Sequence, residues 1–197
     1  MDDAPSDDRA PEPDDSLTPL PTLPSPDDPK APWLTMELQF LSQLNLIADA
    51  DLRIKELDLG IGRVHHRILY FVDAMPGVPV GHLLRLIRVT NQNVHRPMGD
   101  LVRMGLIEQR TSEVDRRQRN LYTTARGSEL LKQLTSHQFA RVRRAFDLAG
   151  PESVKGYWTV LWHMIEEHER QWVLGHEQEA LGRPAGTGSV RPRTDPT

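Results

Sequence analysis

The 197-residue sequence predicts a mainly α-helical domain that carries a single two-stranded β-hairpin. Over most of the chain, apolar side chains recur at the spacing of an amphipathic helix, whereas strand-like patterns are confined to residues 107–110 and 118–123. Residues 1–32 hold nine of the sixteen prolines and nine acidic side chains, and residues 182–197 are rich in Gly, Pro and Arg. Because neither composition can bury a core, we expect a folded part at 33–181 between a disordered acidic tail and a flexible tail.

Two helices are predicted in the first part of the folded region. The first runs from about Leu34 to Leu57, and Gly60 and Gly62 end it. Its apolar stripe consists of Met36, Phe40, Leu44 and Ile47. The stripe of the second helix consists of Val64, Ile68, Val72 and Met75, followed by a helix-ending Pro-Gly.

A short helix and a longer one, joined by a tight turn, are predicted next. The short helix begins at Pro79, the turn falls at Arg88-Val89, and Thr90 is a suitable N-cap for the longer helix. Gly105 stands where a C-terminal glycine cap is expected. The buried residues are expected to be Val80, Leu83, Leu84 and Ile87, then Val94, Met98 and Leu101. This arrangement is typical of a helix-turn-helix.

The strand patterns predict a hairpin around the polar loop 111–117, and two helices are predicted to follow it. Thr124 is a suitable N-cap for the first of these helices, and Gly150-Pro151 ends it. Its apolar residues are Leu130, Leu131, Leu134, Val142 and Phe146. One last helix is predicted to carry Val154, Trp158, Leu161, Ile165, His168 and Trp172.

Charge is segregated along the chain, although the formal net charge is only −4. Residues 1–32 carry nine acids against two bases, a net of −7, whereas residues 60–127 carry eleven arginines against five acids, a net of +6. A basic segment of this kind is the electrostatic footprint expected of a polyanion-binding surface. No apolar run is long enough to span a membrane and the N-terminus is acidic, so a cytoplasmic location is expected.

The outer face of the longer helix of the pair carries side chains that suit base reading. Asn and Gln pair bidentately with adenine and Arg with guanine in the major groove. The residues concerned are Asn91, Gln92, Asn93 and Arg96, with Arg103 further along. A merely solvated polar face is the alternative, but the Glu/Lys pairs usual on such a face are absent.

The hairpin loop carries Arg116, Arg117 and Arg119. Arginines on a protruding tip can contact phosphates or enter a narrow minor groove. Asp115 is expected to fix one of these arginines, because a carboxylate that faced phosphate would be repelled. A helix-turn-helix followed by such a hairpin predicts a winged helix-turn-helix.

The sequence resembles the MarR-type winged helix-turn-helix transcriptional regulators. The resemblance is carried by Thr90-Asn91-Gln92-Asn93-Val94, Leu101-Val102-Arg103-Met104-Gly105-Leu106-Ile107, Asp115-Arg116-Arg117 and Thr124 through Gly127, and the helix order extends it over roughly Leu34 to Leu174. It implies a homodimer on a palindromic site in double-stranded DNA. The winged part would lie at about 60–127 and the dimerisation helices at 33–59 and 125–181.

Carried over by resemblance, Asn91, Gln92, Asn93 and Arg96 match base-contacting positions, Arg117 matches the wing arginine, and Asp115 matches its orienting partner. Thr123 stands where the family has leucine. Pro97 is the larger departure, because a proline inside a helix costs about 3 kcal/mol and is expected to kink or tilt it.

The resemblance also implies a small anionic or phenolic effector in a cleft between the dimerisation helices and the winged part. Trp33, Phe40, His65, His66 and Arg67 fall near that region. Core packing or surface exposure explains each of them more simply, so neither ligand residues nor a cofactor are assigned. The absence of cysteine excludes thiol-based peroxide sensing.

The residues also suggest two alternative functions, metal sensing and an interaction scaffold. His163 and Glu167 form an i, i+4 pair on the predicted last helix and suggest a metal-sensing regulator. Pro97 favours a dimeric interaction scaffold that has lost DNA binding, whereas the arginine-rich wing disfavours it. An enzyme is not expected, because no phosphate-binding glycine loop, serine elbow or apolar carboxylate pair is present. The acidic tail either solubilises the chain or competes with DNA for the basic face.

Overall fold

The fold is mainly helical, with a small sheet contributed by three short segments. The structure is a computed structural model that describes residues 22–88, 91–112 and 115–180, with the backbone alone for residues 91, 92 and 175–180. Most of the predicted acidic tail, the turn residues Val89 and Thr90, and the tail 182–197 lie outside the described residues.

The described residues form seven helices and three strands. In chain order they are α1 (Ala31–Leu57), α2 (Arg63–Ala74), β1 (Val78–Pro79), α3 (Val80–Ile87), α4 (Asn91–Arg103), β2 (Ile107–Thr111), β3 (Arg119–Thr123), α5 (Ala125–Ala149), α6 (Pro151–Met164) and α7 (Glu167–Ala180). The prediction of a mainly helical chain with a β-wing is confirmed.

Two units divide the chain, residues 1–42 and residues 43–197. In the first unit, turns at 26–30 lead into the start of α1, where Trp33 and Phe40 are exposed. The second unit holds a core contributed by α2, α3, α4, the sheet and α5. Its fully buried large side chains are Ile68, Leu69, Val72, Leu83, Val94, Leu101, Leu106, Ile107, Leu121 and Leu134. The stripes predicted for α2, α3 and α4 therefore face this core.

Three helix termini lie where the sequence predicts a turn or a cap. Arg88 adopts the left-handed conformation at φ 49° and ends α3, and Gly105 at φ 67° follows the end of α4. Thr124 Oγ1 accepts a hydrogen bond from the Gly127 N–H at 3.0 Å and donates one to the Gly105 carbonyl at 2.7 Å. The start of α5 is thereby attached to the end of α4.

The sheet has three antiparallel strands in the order β1-β3-β2, whereas the sequence predicted only the two strands of the wing. The wing register pairs Ile107 with Thr123 and Thr111 with Arg119. β1 consists of Val78 and Pro79 and pairs with the other edge of β3. Two residues are too short to show a strand period, so the sequence pattern does not reveal β1.

The prediction of one last helix is wrong. Ile165 is extended, at φ −91° and ψ 155°, and separates α6 from α7. Glu169 Oε2 accepts the Glu166 N–H at 3.0 Å, and Arg170 Nε donates to the Trp162 carbonyl at 3.0 Å. These contacts satisfy polar groups on both sides of the break.

The break also overturns the proposed metal pair. His163 belongs to α6 and Glu167 to α7, so the two residues are not one turn apart on a single helix. Within the described ranges, no group of three or more His, Asp or Glu side chains is placed to hold a metal ion. In the same ranges, no helix has both the length and the apolar character needed to cross a membrane.

Candidate nucleic-acid interface

Helix α4 presents a polar face outwards because its apolar residues are buried in the core. Val94, Met98 and Leu101 are buried, whereas Asn93 and Arg96 are exposed. Asn91 and Gln92 occupy the first turn of the helix, and their side chains lie outside the described residues. The backbone thus places all four predicted base-reading residues in the first half of α4.

Pro97 lies inside α4, and the helix continues across it to Arg103. Proline has no N–H, so Pro97 cannot donate to the Asn93 carbonyl as the other residues of the turn do. The packing of Met98 and Leu101 in the core holds the second half of the helix in place. The two halves of α4 are therefore joined by one hydrogen bond fewer than in a regular helix.

The wing loop is ordered by main-chain contacts around Asp115. The Ser112 N–H donates to the Gln118 carbonyl at 3.0 Å, and the Gln118 N–H donates to the Asp115 carbonyl at 2.9 Å. Asp115 Oδ1 accepts the main-chain N–H of Arg117 at 2.9 Å. The sequence predicts that Asp115 fixes an arginine. The contact found is with the main-chain N–H of Arg117, and the side chain of Arg117 is exposed to solvent.

Most of the arginines of α4 and the wing have no described carboxylate that compensates their charge. Arg96, Arg116, Arg117 and Arg119 are exposed, and no carboxylate of the described residues lies within 4 Å of their guanidinium groups. Arg119 donates to Thr111 Oγ1 across the wing. Arg110 differs, since it pairs with Glu108 and stacks on the Tyr122 ring at 4.3 Å.

A cleft of about 540 Å³ lies between α3, α4 and the wing. Its polar lining includes His82 and Arg85 from α3, His95 from α4, and Arg117 and Arg119 from the wing. The helix-turn-helix and the wing therefore contribute to one continuous basic surface. This arrangement can meet a polyanion with both elements at once.

Helix α4 is also anchored to α2 through its polar side chains. His65 Nε2 lies 3.3 Å from Asp100 Oδ2, and Arg103 donates to Asp100 Oδ1. The hydrogen bond from Arg103, and then that from His65, lowers the pKa of the Asp100 carboxyl. Arg103, which the sequence placed on the base-reading face, is thus paired within its own helix.

The other residues expected near the effector cleft are divided between the two units. Arg67 is exposed on α2, while His66 is half-buried, and its Nε2 has no hydrogen-bond partner among the described residues. Burial, together with the positive charge of Arg67, lowers the pKa of His66. Trp33 and Phe40 are exposed in the first unit.

A second set of contacts joins α1 to α5 within the second unit. Arg141 donates to both carboxylate oxygens of Asp49, at 2.6 and 2.9 Å, and this hydrogen bonding lowers the pKa of Asp49. Gln138 Nε2 donates to the Leu46 carbonyl at 2.9 Å. No local sequence pattern marks these pairs, since their members lie 92 positions apart.

Comparisons with known proteins agree with this geometry. Residues 59–118 match the model of the MarR family. The HTH-type transcriptional regulator PetP of Rhodobacter capsulatus is 34% identical over 136 residues, which cover 69% of this chain and 81% of PetP.

Two solved structures show the same fold. The MarR-family transcriptional regulator from Silicibacter pomeroyi is 23% identical with a TM-score of 0.58, covering 71% of this chain and 92% of that one. Streptococcus pneumoniae FabT, solved in complex with DNA, is 20% identical with a TM-score of 0.55, covering 68% of this chain and 93% of that one.

Proposed function

Because the chain belongs to the MarR family of transcriptional regulators, we propose that it binds double-stranded DNA as a homodimer on a palindromic operator, under the control of a small-molecule effector. The family consists of DNA-binding regulators rather than enzymes. The PetP regulator supports the regulatory role, and the FabT complex supports DNA as the partner.

The observation that carries the proposal is the continuous basic surface of α3, α4 and the wing. Asn93 and Arg96 are exposed on the half of α4 that would enter the major groove. Arg117 and Arg119 line the same cleft from the wing and are free of carboxylates of the described residues. In this proposal, the residues of α4 read bases and the wing arginines contact phosphates or the minor groove.

Exposed apolar side chains support the homodimer. On α6, Tyr157, Trp158, Val160 and Met164 are exposed, and on α1 Trp33 and Phe40 are exposed. Large apolar side chains exposed in such number are typical of an interface with another chain. A two-fold symmetric dimer would present two recognition helices, and therefore favours an inverted repeat.

Membership of the family supports the proposal of effector control. We assign no residue to the effector, because core packing or surface exposure explains each of the residues expected near the cleft. A screen of small aromatic acids for release of bound DNA is the appropriate search.

The proposal is tested by titrating a labelled random duplex with the full chain over a range of salt concentrations, with the oligomeric state measured by sedimentation. We expect a dimer whose binding constant falls steeply with salt, because the arginines displace counterions from phosphates. A folded chain that binds no duplex at low salt would contradict the proposal.

A further inference from the structure

A chain of polar contacts runs from the start of α2 to the second half of α4. The Gly62 N–H donates to His65 Nδ1 at 3.0 Å, His65 Nε2 lies 3.3 Å from Asp100 Oδ2, and Arg103 donates to Asp100 Oδ1. The side chain of His65 is only 13% exposed and that of Asp100 is 24% exposed. Water therefore competes weakly with the central contact.

The first contact fixes the tautomer of His65. Nδ1 uses its lone pair to accept the Gly62 N–H, so the neutral ring carries its proton on Nε2 and donates it to the Asp100 carboxylate. His65 is held on the first turn of α2, whose Ile68, Leu69 and Val72 are fully buried in the core. Asp100 is therefore tied to a rigid element outside its own helix.

The contact between His65 and Asp100 restrains the helix that Pro97 interrupts. Pro97 leaves one hydrogen bond unmade between the first half of α4, which carries Asn93 and Arg96, and the second half, which carries Asp100. Burial of Val94, Met98 and Leu101 holds α4 against the core but is non-directional, so a hydrogen bond to Asp100 adds a directional restraint on the rotation of the helix. A hydrogen bond to a charged carboxylate is directional and stronger than a neutral one.

We infer that His65 is a positioning residue for sequence reading: through Asp100 it fixes the rotation of α4, and with it the alignment of Asn93 and Arg96 against the bases. It also holds Asp100 in place to orient the Arg103 guanidinium, which is 75% exposed. The inference rests on the proposed DNA-binding function. It adds that discrimination between sequences depends on a residue that does not itself face the proposed DNA surface.

The test compares affinity for a selected duplex with affinity for a scrambled duplex of the same length, for the wild type, four single variants and the double variant His65→Phe/Asp100→Ala of the full chain. His65→Phe keeps a planar ring but removes both hydrogen bonds, whereas His65→Gln retains one acceptor and one donor. Asp100→Ala removes the acceptor from α4. His137→Phe, a half-buried histidine on α5, is the matched control.

We expect His65→Phe and Asp100→Ala each to lower the ratio of specific to non-specific affinity by about tenfold, the effect of losing one hydrogen bond to a charged group. The double variant should lose no more than either single one. His65→Gln should restore most of the ratio, and His137→Phe should leave it unchanged. Affinity for the scrambled duplex should stay constant in the histidine variants, since phosphate contacts dominate it and these changes leave the charged side chains in place.

An unchanged ratio in Asp100→Ala, or a glutamine variant as poor as the phenylalanine variant, would overturn the inference. Equal losses on both duplexes would also overturn it, because they would show a merely structural role. If His65→Phe fails to fold, Asp100→Ala decides the matter, since its side chain lies nearer the surface. A wild type that fails to discriminate would remove the proposed function itself, whereas discrimination that survives in the variants would remove only this inference.

Discussion

Arg117 is fixed at its main chain and exposed at its side chain. Asp115 accepts its main-chain N–H at 2.9 Å, which fixes the backbone of the wing tip and leaves the guanidinium exposed. Because no carboxylate of the described residues neutralises it, the full charge remains available to a polyanion. A phosphate contact of this kind is independent of sequence.

Replacing Arg117 by Ala should therefore weaken binding to every duplex alike. The slope of log binding constant against log salt should become shallower by about 1 for each protomer, because one counterion fewer is released. Titrations at four or more salt concentrations measure this slope. Arg143→Ala, an exposed arginine on α5, is the control and should change neither quantity. A loss confined to one sequence would show that Arg117 reads bases instead.

At this scale the sequence reveals residues by type but not long-range pairs. The wing arginines and the polar face of α4 are predictable because local spacing alone places them. The contact of His65 with Asp100 joins residues 35 positions apart, and neither residue shows a local pattern that marks the pair. Only the packing of α2 against α4 brings them together.

At the scale of elements, the start of α5 packs closely against the segment that joins α4 to the sheet. Gly127 lies in the first turn of α5, and a Cβ added there would collide with the Leu106 carbonyl oxygen and lie 2.8 Å from Thr123 Cγ2. The neighbouring Thr124 caps α5 and donates to the Gly105 carbonyl. Both ends of the wing are therefore tied to the start of α5.

Gly127→Ala should accordingly lower the free energy of unfolding by roughly 2 to 3 kcal/mol, the usual cost of forcing backbone apart in a packed region. Gly99→Ala on α4 is the matched control, because a Cβ there meets nothing within 4 Å. In a helix that change should stabilise the chain by about 0.5 to 1 kcal/mol. Chemical denaturation of both variants measures the difference, and equal effects would contradict the crowding at Leu106.

The sequence predicts those elements whose ends carry local signals. Gly105 and Thr124 mark the wing correctly because caps act within one turn of the backbone. The break at Ile165 was missed, since its apolar residue fits the helical stripe and the capping contact from Glu169 becomes evident only in the structure. Likewise β1 exists only through its pairing with β3.

For the molecule as a whole, stability at low pH should depend on the contact between α1 and α5. Hydrogen bonding from Arg141 lowers the pKa of Asp49 below its ordinary value of 3.8. A carboxyl whose pKa is lower in the folded state stabilises that state above pH 3.8, and the contribution is lost as the pH falls through the folded-state pKa.

Asp49→Asn should therefore lower the free energy of unfolding at pH 7 by about 0.5 to 1 kcal/mol. The melting temperature at that pH should fall accordingly. The gap from the wild type should close as the pH is lowered below 3.8. Asp147→Asn, an exposed position on α5, is the control and should show no gap at either pH. Melting curves that stay separated by the same interval at low pH would contradict the assignment.

At the scale of the whole molecule, charge is segregated along the chain, and the basic segment is the part expected to face a polyanion. The segment 60–127 is net +6 although the chain is net −4, and it contains the helix-turn-helix and the wing. A basic face on a nominally acidic chain favours one mode of approach to DNA. In the proposed function, the bases that α4 contacts set the operator sequence, and composition does not encode them.

Selection of bound sequences from a random duplex library, with the full chain at about physiological salt, tests DNA recognition most directly. We expect enrichment of an inverted repeat whose half-sites lie about one helical turn apart, because a two-fold dimer presents its two α4 helices to successive major grooves. A folded, dimeric chain that enriches no sequence would contradict the proposed function and would favour a winged-helix interaction module instead.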